Sequence, residues 1–348
     1  MLPSLSLLEK LCNTAGVSGD EGAVRRIVLE AIRPHADEVT VDAMGSVLAV
    51  KRGSRGGKRP RVMVAAHMDE VGFMLTDKGK DGLFRFGVVG GIDPRILPGK
   101  AVRVGEKGIP GVIGAKPIHL TTRDEGKRVI KVEDLRIDVG PENKDKVKGG
   151  DWAVFDTPFE QIGPSLRAKA LDDRLGVANL ITLLQDAPPE VDLLAAFTVQ
   201  EEVGLRGAFA AAYALAPDLA IAVDCTPAYD QPAWDGEENT RYNTRLGYGP
   251  AIYVADRRTI SHPALVRHLA ETAEAEGIPY QYRQPGGGST DAGAIFHRRE
   301  GIPVVSLSTP GRYLHTPASI ARLEDWYNTY RLLRAALARM EGGMVNAE

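Results

Sequence analysis

Short apolar runs alternate with helix-like segments along most of this chain, and this alternation is what most constrains its fold. Runs such as 62–66 and 219–223 neighbour stretches with helical spacing, before residue 71 and after residue 163. Between residues 71 and 163 the helical spacing disappears, and short β-rich pieces alternate with Gly and Pro. Alternating strands and helices indicate a covered sheet, whereas short strands alone indicate a barrel or sandwich. The pattern therefore predicts an α/β fold: a mixed sheet sandwiched by helices, with an inserted small all-β domain.

The domain organisation follows from the same break in pattern. Residues 1–70 and 164–348 are predicted to form one discontinuous α/β domain, and residues 71–163 the inserted β-barrel-like domain. Within the α/β part, residues 303–307 are predicted to form a strand, and the last helix is expected at about 319–340.

Composition excludes several classes of protein. The 348 residues are 43% hydrophobic and 26% charged, and 43 basic against 46 acidic residues give a formal charge of −3. This balance predicts neither a nucleic-acid nor a membrane partner. The two cysteines, Cys12 and Cys225, are far apart in sequence, which fits a reducing cytoplasm and argues against a thiolate metal site.

Imidazole and carboxylate groups follow several of the predicted buried strands. Taken singly, each is explained as a polar residue that ends a strand, and Asp172 or Asp173 as a helix N-cap. In a largely parallel sheet, however, these strand ends share one rim. Two His and three carboxylates, one of them bridging, suffice for two divalent metals about 3.5–4 Å apart. A carboxylate left over beside them can accept a proton from a water. These six residues are His67, Asp172, Glu201, Glu202, Asp224 and His315, and Asp69, two residues after His67, can orient its imidazole.

The motifs that carry these residues resemble those of the M42 family of dinuclear metalloaminopeptidases, the tetrahedral or glutamyl-aminopeptidase type. The resemblance runs from the first predicted helix to the last and implies a zinc-exopeptidase-like fold. The matching stretches are His67-Met68-Asp69, Asp172-Asp173-Arg174, Glu201-Glu202-Val203-Gly204, Asp224, His315-Thr316, Gly114-Ala115-Lys116-Pro117 and the segment 286–292.

The resemblance implies a role for each residue. His67 and Asp224 would ligate one metal, Glu202 and His315 the other, and Asp172 would bridge both. Glu201 would be the general base, Asp69 would orient His67, and the peptide bond after Asp172 would be cis. The segment 286–291, with Gly287, Gly288, Thr290 and Asp291, is expected either to line the substrate pocket or to form a simple turn. His119 would reach a neighbouring subunit's active site, or else be a surface residue.

The implied activity is the metal-dependent removal of N-terminal residues from short peptides, by a bridging water activated by two divalent metals and Glu201. The implied cofactors are two divalent ions per subunit, Zn first, with Co or Mn as alternatives. The implied assembly is a cytoplasmic homo-oligomer in which dimers, formed through the inserted domain, build a dodecamer.

Three alternatives stay open at this point. A carboxypeptidase or deacylase could use the same metal core. A glycosidase would need two carboxylates about 5–9.5 Å apart across a sugar, which adjacent Glu201 and Glu202 suit poorly. A non-catalytic assembly protein with structural metals would be expected to have a closed, thiolate-rich site. The residue preference at the first substrate position is not predicted.

Overall fold

The computed structural model describes residues 1–79, 82–233, 235–237, 239–240, 243–284 and 286–340. Its strands, in chain order, are β1 (Glu38–Val41), β2 (Val47–Lys51), β3 (Arg61–His67), β4 (Gly72–Lys78), β5 (Phe84–Val89), β6 (Ala101–Val104), β7 (Ile109–Gly114), β8 (Arg136–Asp138), β9 (Trp152–Phe155), β10 (Glu160–Ile162), β11 (Ser165–Ala168), β12 (Asp192–Thr198), β13 (Leu219–Pro227), β14 (Ala251–Ile252), β15 (Gln281–Tyr282), β16 (Val304–Arg312) and β17 (Ser319–Arg322). Its α-helices are α1 (Leu5–Asn13), α2 (Gly22–Ile32), α3 (Leu171–Gln185), α4 (Arg206–Leu215), α5 (Pro263–Glu276), α6 (Ala292–Ile295) and α7 (Leu323–Ala338).

The larger sheet has 11 strands, nine of which run in the order β1-β2-β12-β3-β13-β16-β17-β11-β10. The four central strands, β12, β3, β13 and β16, are parallel to one another. The flanking pairs are antiparallel. The sheet is therefore mixed, and the carboxyl ends of its four central strands meet at one edge.

Alternation along the strands separates the two faces of the sheet. In β3, Val62, Val64 and Ala66 point into the cluster formed with helices α1, α2, α3, α5 and α7. Met63 and Ala65 point into the opposite cluster, which contains α4 and α6. The strand is apolar on both sides because both of its faces are buried, as expected for a central parallel strand. The fold-class prediction is confirmed.

The inserted part is a closed barrel of six strands, in the order β4-β5-β8-β7-β6-β9. Its own apolar interior includes Phe73, Phe86 and Phe155, whose rings contact edge to face at centroid distances of 5.3 and 5.1 Å. The barrel begins five residues after His67, so the chain leaves the large sheet directly at the edge where the parallel strands end.

Long-range pairing changes several element boundaries. Residues 319–322, expected in the last helix, form β17 and pair with β11 and β16, so the helix begins at Leu323. The strand expected at 303–307 extends to Arg312. Asp224 lies inside β13 rather than after it. Residues 160–162, placed in the inserted domain by the sequence pattern, pair with β11 in the large sheet.

Among the described residues, no helix combines the length and apolarity that are needed to cross a bilayer.

Candidate metal centre

The residues expected to carry chemistry meet at the carboxyl edge of the parallel strands. His67 is the last residue of β3 and lies level with Thr198, the last residue of β12, in the parallel register. The chain that continues from Thr198 therefore brings Glu201 and Glu202 to the same edge. Asp224 comes from β13, and His315 follows β16 by three residues. Side chains from four neighbouring strands thus share one wall of a cavity of about 580 Å³.

Asp172 lies between two groups of potential ligands. Its Oδ1 is 3.1 Å from His67 Nε2, which is itself 3.7 Å from Asp224 Oδ1. Its Oδ2 is 3.4 Å from His315 Nε2, which is 3.3 Å from Glu202 Oε1. Within each group the ligand atoms lie within 4.8 Å of one another. One carboxylate therefore faces both groups, each completed by one His and one further carboxylate. The Asp172–Asp173 peptide bond is cis, as expected.

Hydrogen bonds orient both imidazoles. His315 Nδ1 is 2.9 Å from the carbonyl oxygen of Gly91, and His67 Nδ1 is 3.1 Å from that of Asp69. A proton on each Nδ1 satisfies these carbonyls, so Nε2 is the nitrogen of each imidazole that would bind a metal. Gly91 belongs to the barrel, so both parts of the molecule build the site.

Asp69 holds the loop that carries the two glutamates. Its Oδ1 accepts a hydrogen bond from the Glu201 N–H at 3.0 Å, and its Oδ2 from the Glu202 N–H at 3.1 Å and the Ser18 hydroxyl at 2.6 Å. Its Oδ1 also lies 3.5 Å from His67 Nδ1. Burial acts to raise the pKa of Asp69, but the His67 and Ser18 hydrogen bonds outweigh it and hold the pKa below its usual value. Asp69 therefore remains ionised and links His67 to the glutamate loop.

The electrostatics of the cavity wall fit a divalent cation. Burial raises the pKa of Glu202 to about 8, and the neighbouring charge of Asp172 acts in the same direction. Burial and the charge of Asp172 likewise raise the pKa of Asp224 to about 7. Burial, together with the charges of Asp224 and Glu202, raises the pKa of Glu201 well above its usual value. Carboxylates crowded in this way ionise together only with a compensating cation, and the oxygen and imidazole donors suit Zn, Co or Mn.

A third group of potential ligands, Asp172, Asp173 and Cys225, fits a metal less well. Burial, and then the charges of Asp172 and Asp173, raise the pKa of the Cys225 thiol well above its usual value. A thiol must lose its proton to bind a metal, so the two His-containing groups fit better.

The structure places only some of the residues expected to bind substrate at the cavity wall. Gly287 and Gly288 line the cavity. Thr290 is buried and its hydroxyl lies 2.7 Å from that of Ser306, while Asp291 accepts a hydrogen bond from Thr198 at 2.5 Å. His119 lies on an exposed turn of the barrel and is not part of the cavity wall within this chain.

Several further residues line the cavity although no sequence motif points to them. They are Gly91, Asp93, Tyr229, Asn243, Tyr253 and Arg283. Arg283 carried the best available signal, because an Arg between a short β-segment and a glycine-rich turn needs partners. The signal was too weak to assign a role.

Comparison with known proteins identifies the family. The M42 glutamyl aminopeptidase family model matches residues 45–332. The chain belongs to this family. A putative aminopeptidase from Acetivibrio thermocellus is 37% identical, over 95% of this chain and 97% of its own.

Solved structures of aminopeptidases share the M42 fold of this chain. The aminopeptidase of the archaeon Desulfurococcus kamchatkensis has a TM-score of 0.90 at 37% identity, and covers 97% of this chain and 94% of its own. The TET1 peptidase of Pyrococcus horikoshii has a TM-score of 0.84 at 36% identity, covers 97% of this chain and 99% of its own, and can assemble into a tetrahedron or a large octahedral shell. The chain is thus an M42-type hydrolase, which excludes a purely non-catalytic assembly protein.

Proposed function

We propose that the protein removes N-terminal residues from short peptides, using two divalent metals held by His67, Asp172, Glu202, Asp224 and His315. The observation that carries the proposal is the position of Asp172, whose two oxygens face two His–carboxylate groups. Glu201 is excluded from both groups yet lines the same cavity. A carboxylate beside two metal positions is what peptide hydrolysis needs for proton transfer.

The metals would supply Lewis acidity, polarising the scissile carbonyl and favouring ionisation of the attacking water. The side chains of this chain would do the rest. The Glu201 carboxylate accepts the proton of that water and returns it to the departing amine. Burial raises the pKa of Glu201 above its usual value, which makes its carboxylate a stronger base than an exposed one. Asp69 keeps Glu201 in place through the loop backbone.

Metal removal and restoration is the experiment that tests this function. The purified protein is dialysed against a chelator, restored with Zn²⁺, Co²⁺ or Mn²⁺, and assayed with aminoacyl-anilides, N-acetylated peptides and a reducing-sugar substrate. We expect hydrolysis of free-amine substrates only, abolished by chelation and restored by at least one metal. Hydrolysis of N-acetylated peptides from the carboxyl end, or release of reducing sugar, would instead support one of the rival activities.

Arg283 is proposed to set the preference for the first residue of the substrate. It lines the cavity, is only 6% exposed, and lies with its guanidinium carbon 4.6 Å from the Tyr253 ring centroid. Its Nη atoms donate to the carbonyl oxygens of Ala255 and Gly287, and its Nε has no hydrogen-bond partner among the described residues. These partners are neutral, so the charge of Arg283 remains available to a carboxylate of the substrate.

Glutamyl- or aspartyl-anilide is therefore expected to be a better substrate than lysyl-anilide. Arg283→Met should lower kcat/KM for the acidic substrate about tenfold or more, the loss expected for one charged hydrogen bond, and leave leucyl-anilide less affected. Arg283→Lys keeps the charge and is the matched control. An equal loss for acidic and apolar substrates would mean that Arg283 only supports the glycine-rich turn.

For the assembly, we propose dimers formed through the residue 71–163 region that build a dodecamer in the cytoplasm. Support comes from the TET1 peptidase of Pyrococcus horikoshii, which can assemble into a tetrahedron or a large octahedral shell. Further support comes from large apolar side chains on the barrel, since Ile118 is 82% exposed and Leu120 61%. Between them lies His119, which in such an assembly would face a neighbouring subunit.

A further inference from the structure

Glu70 is a buried carboxylate that the proposed reaction does not use. It follows Asp69 by one residue and is 2% exposed. Its Oε1 and Oε2 lie 2.6 and 2.8 Å from Lys169 Nζ, and its Oε1 also accepts hydrogen bonds from the Gly16 N–H at 3.1 Å and from Arg174 Nη2 at 3.4 Å. One carboxylate therefore contacts two buried cations.

The two cations flank Asp172 in sequence. Lys169 precedes it by three residues and is 4% exposed, and Arg174 follows it by two and is fully buried. Between them the backbone is irregular: Ala170 has a left-handed φ of 56°, and Asp172 and Asp173 have non-helical angles at the start of α3. The segment that presents Asp172 is not held by regular secondary structure, but Glu70 contacts both of its ends.

The same cations attach this segment to the N-terminal region. Arg174 Nη1 donates to the Leu11 carbonyl oxygen at 2.7 Å, and Lys169 Nζ to that of Thr14 at 3.3 Å. Gly16 fits tightly here, because a Cβ at this position would lie 2.8 Å from Arg174 Nη2. The charged groups thus have fixed partners and little room to rearrange.

We propose that Glu70 is a positioning residue: it holds the segment 169–174 against the end of β3 so that Asp172 faces both His67 and His315. This inference rests on the proposed function in treating Asp172 as the shared metal ligand. Apolar side chains could fill this volume at no loss of stability, since buried ion pairs rarely stabilise more than apolar packing does. The buried charges of Glu70, Lys169 and Arg174 are therefore better explained by a role in fixing the position of Asp172 than by a contribution to stability.

The test compares Glu70→Gln, the double variant Glu70→Gln/Lys169→Met and, as matched control, Asp192→Asn. Asp192 accepts a hydrogen bond from Arg59 at 2.8 Å and lies at the opposite end of the sheet, at the start of β12. Each protein is freed of metal and its thermal unfolding is measured. It is then titrated with Co²⁺, and binding is followed by visible absorption.

Glu70→Gln should weaken Co²⁺ binding about tenfold or more, the usual effect of losing a group that orients metal ligands. The double variant removes one of the two cations that Glu70→Gln leaves uncompensated, so it should regain part of the lost thermal stability but not the Co²⁺ affinity. Asp192→Asn should lose stability without losing affinity.

Wild-type Co²⁺ affinity in either Glu70 variant would overturn the positioning role. If the double variant does not fold, Lys169→Met alone decides, because it releases only one end of the segment and should still weaken Co²⁺ binding. A wild-type protein that binds Co²⁺ but hydrolyses no peptide would contradict the proposed function, while the ratio of Co²⁺ affinities would still decide the role of Glu70.

Discussion

Glu201→Gln is expected to lower kcat by at least about 100-fold, the lower bound for loss of a general base, while the protein keeps its metals. Gln has nearly the same shape, and the backbone N–H that Asp69 holds is unchanged. Only the ability to take and return a proton is lost. Because Glu201 belongs to neither group of potential ligands, metal content should not follow activity.

The neighbouring glutamate is the matched control for this variant. Glu202 Oε1 lies 3.3 Å from His315 Nε2, so Glu202→Gln should release metal as well as lose activity. Metal content is measured on the purified variants, and kcat with the best anilide substrate at saturating metal. An active Glu201→Gln would reject Glu201 as the base and require another proton carrier, whereas one that has lost its metal would place Glu201 among the metal ligands.

Asp172→Asn is expected to weaken the binding of both metals, by more than the roughly 10- to 100-fold that loss of an outer partner costs. Asp172 is the residue shared by the two groups, and its oxygens lie 3.1 Å from His67 Nε2 and 3.4 Å from His315 Nε2. Asn keeps one oxygen but carries no charge and turns an N–H₂ group toward one of the imidazoles. Both metals should therefore be affected by a single substitution.

Asp173→Asn is the control at the next position. Burial, and then the charge of Asp224, raise the pKa of Asp173 well above its usual value, so a neutral side chain already suits the site. Its Oδ1 accepts the Gly176 N–H at 3.0 Å, and an Asn oxygen can do the same. Calorimetric titration of metal into each metal-free variant measures affinity and stoichiometry. Loss of one metal only from Asp172→Asn would show that Asp172 does not bridge.

Much of the fold was predictable because the hydrophobic periodicity of a strand or helix reflects which of its faces are buried. That periodicity can be seen in the sequence alone. Residues 62–66 are apolar on both sides since both faces of β3 are covered, and this is visible without a structure. The strand at residues 319–322 could not be predicted in this way. These residues form β17 by pairing with β11 and β16, and that pairing depends on partners about 150 and 10 residues away.

The candidate site likewise contains residues that the sequence identifies and residues that only the structure identifies. His67, Asp172, Glu201, Glu202, Asp224 and His315 were identifiable because each lies at or near the end of a sequence element, within a motif of recognisable order. Gly91 and Arg283 were not, since neither belongs to such a motif and only the folded structure brings them to the cavity. Glu70 was visible in the sequence, but its contacts with Lys169 and Arg174 span about 100 residues.

The sequence by itself determined the class of fold, the family and the set of groups available for chemistry, because these depend on residue type and order. The tertiary structure alone decided which oxygen of Asp172 faces which imidazole, that a barrel carbonyl orients His315, and that Glu70 contacts both ends of the segment carrying Asp172. These relations arise from parallel strand register and long-range packing, which bring distant residues to 2.6–3.4 Å from one another and which no local pattern encodes.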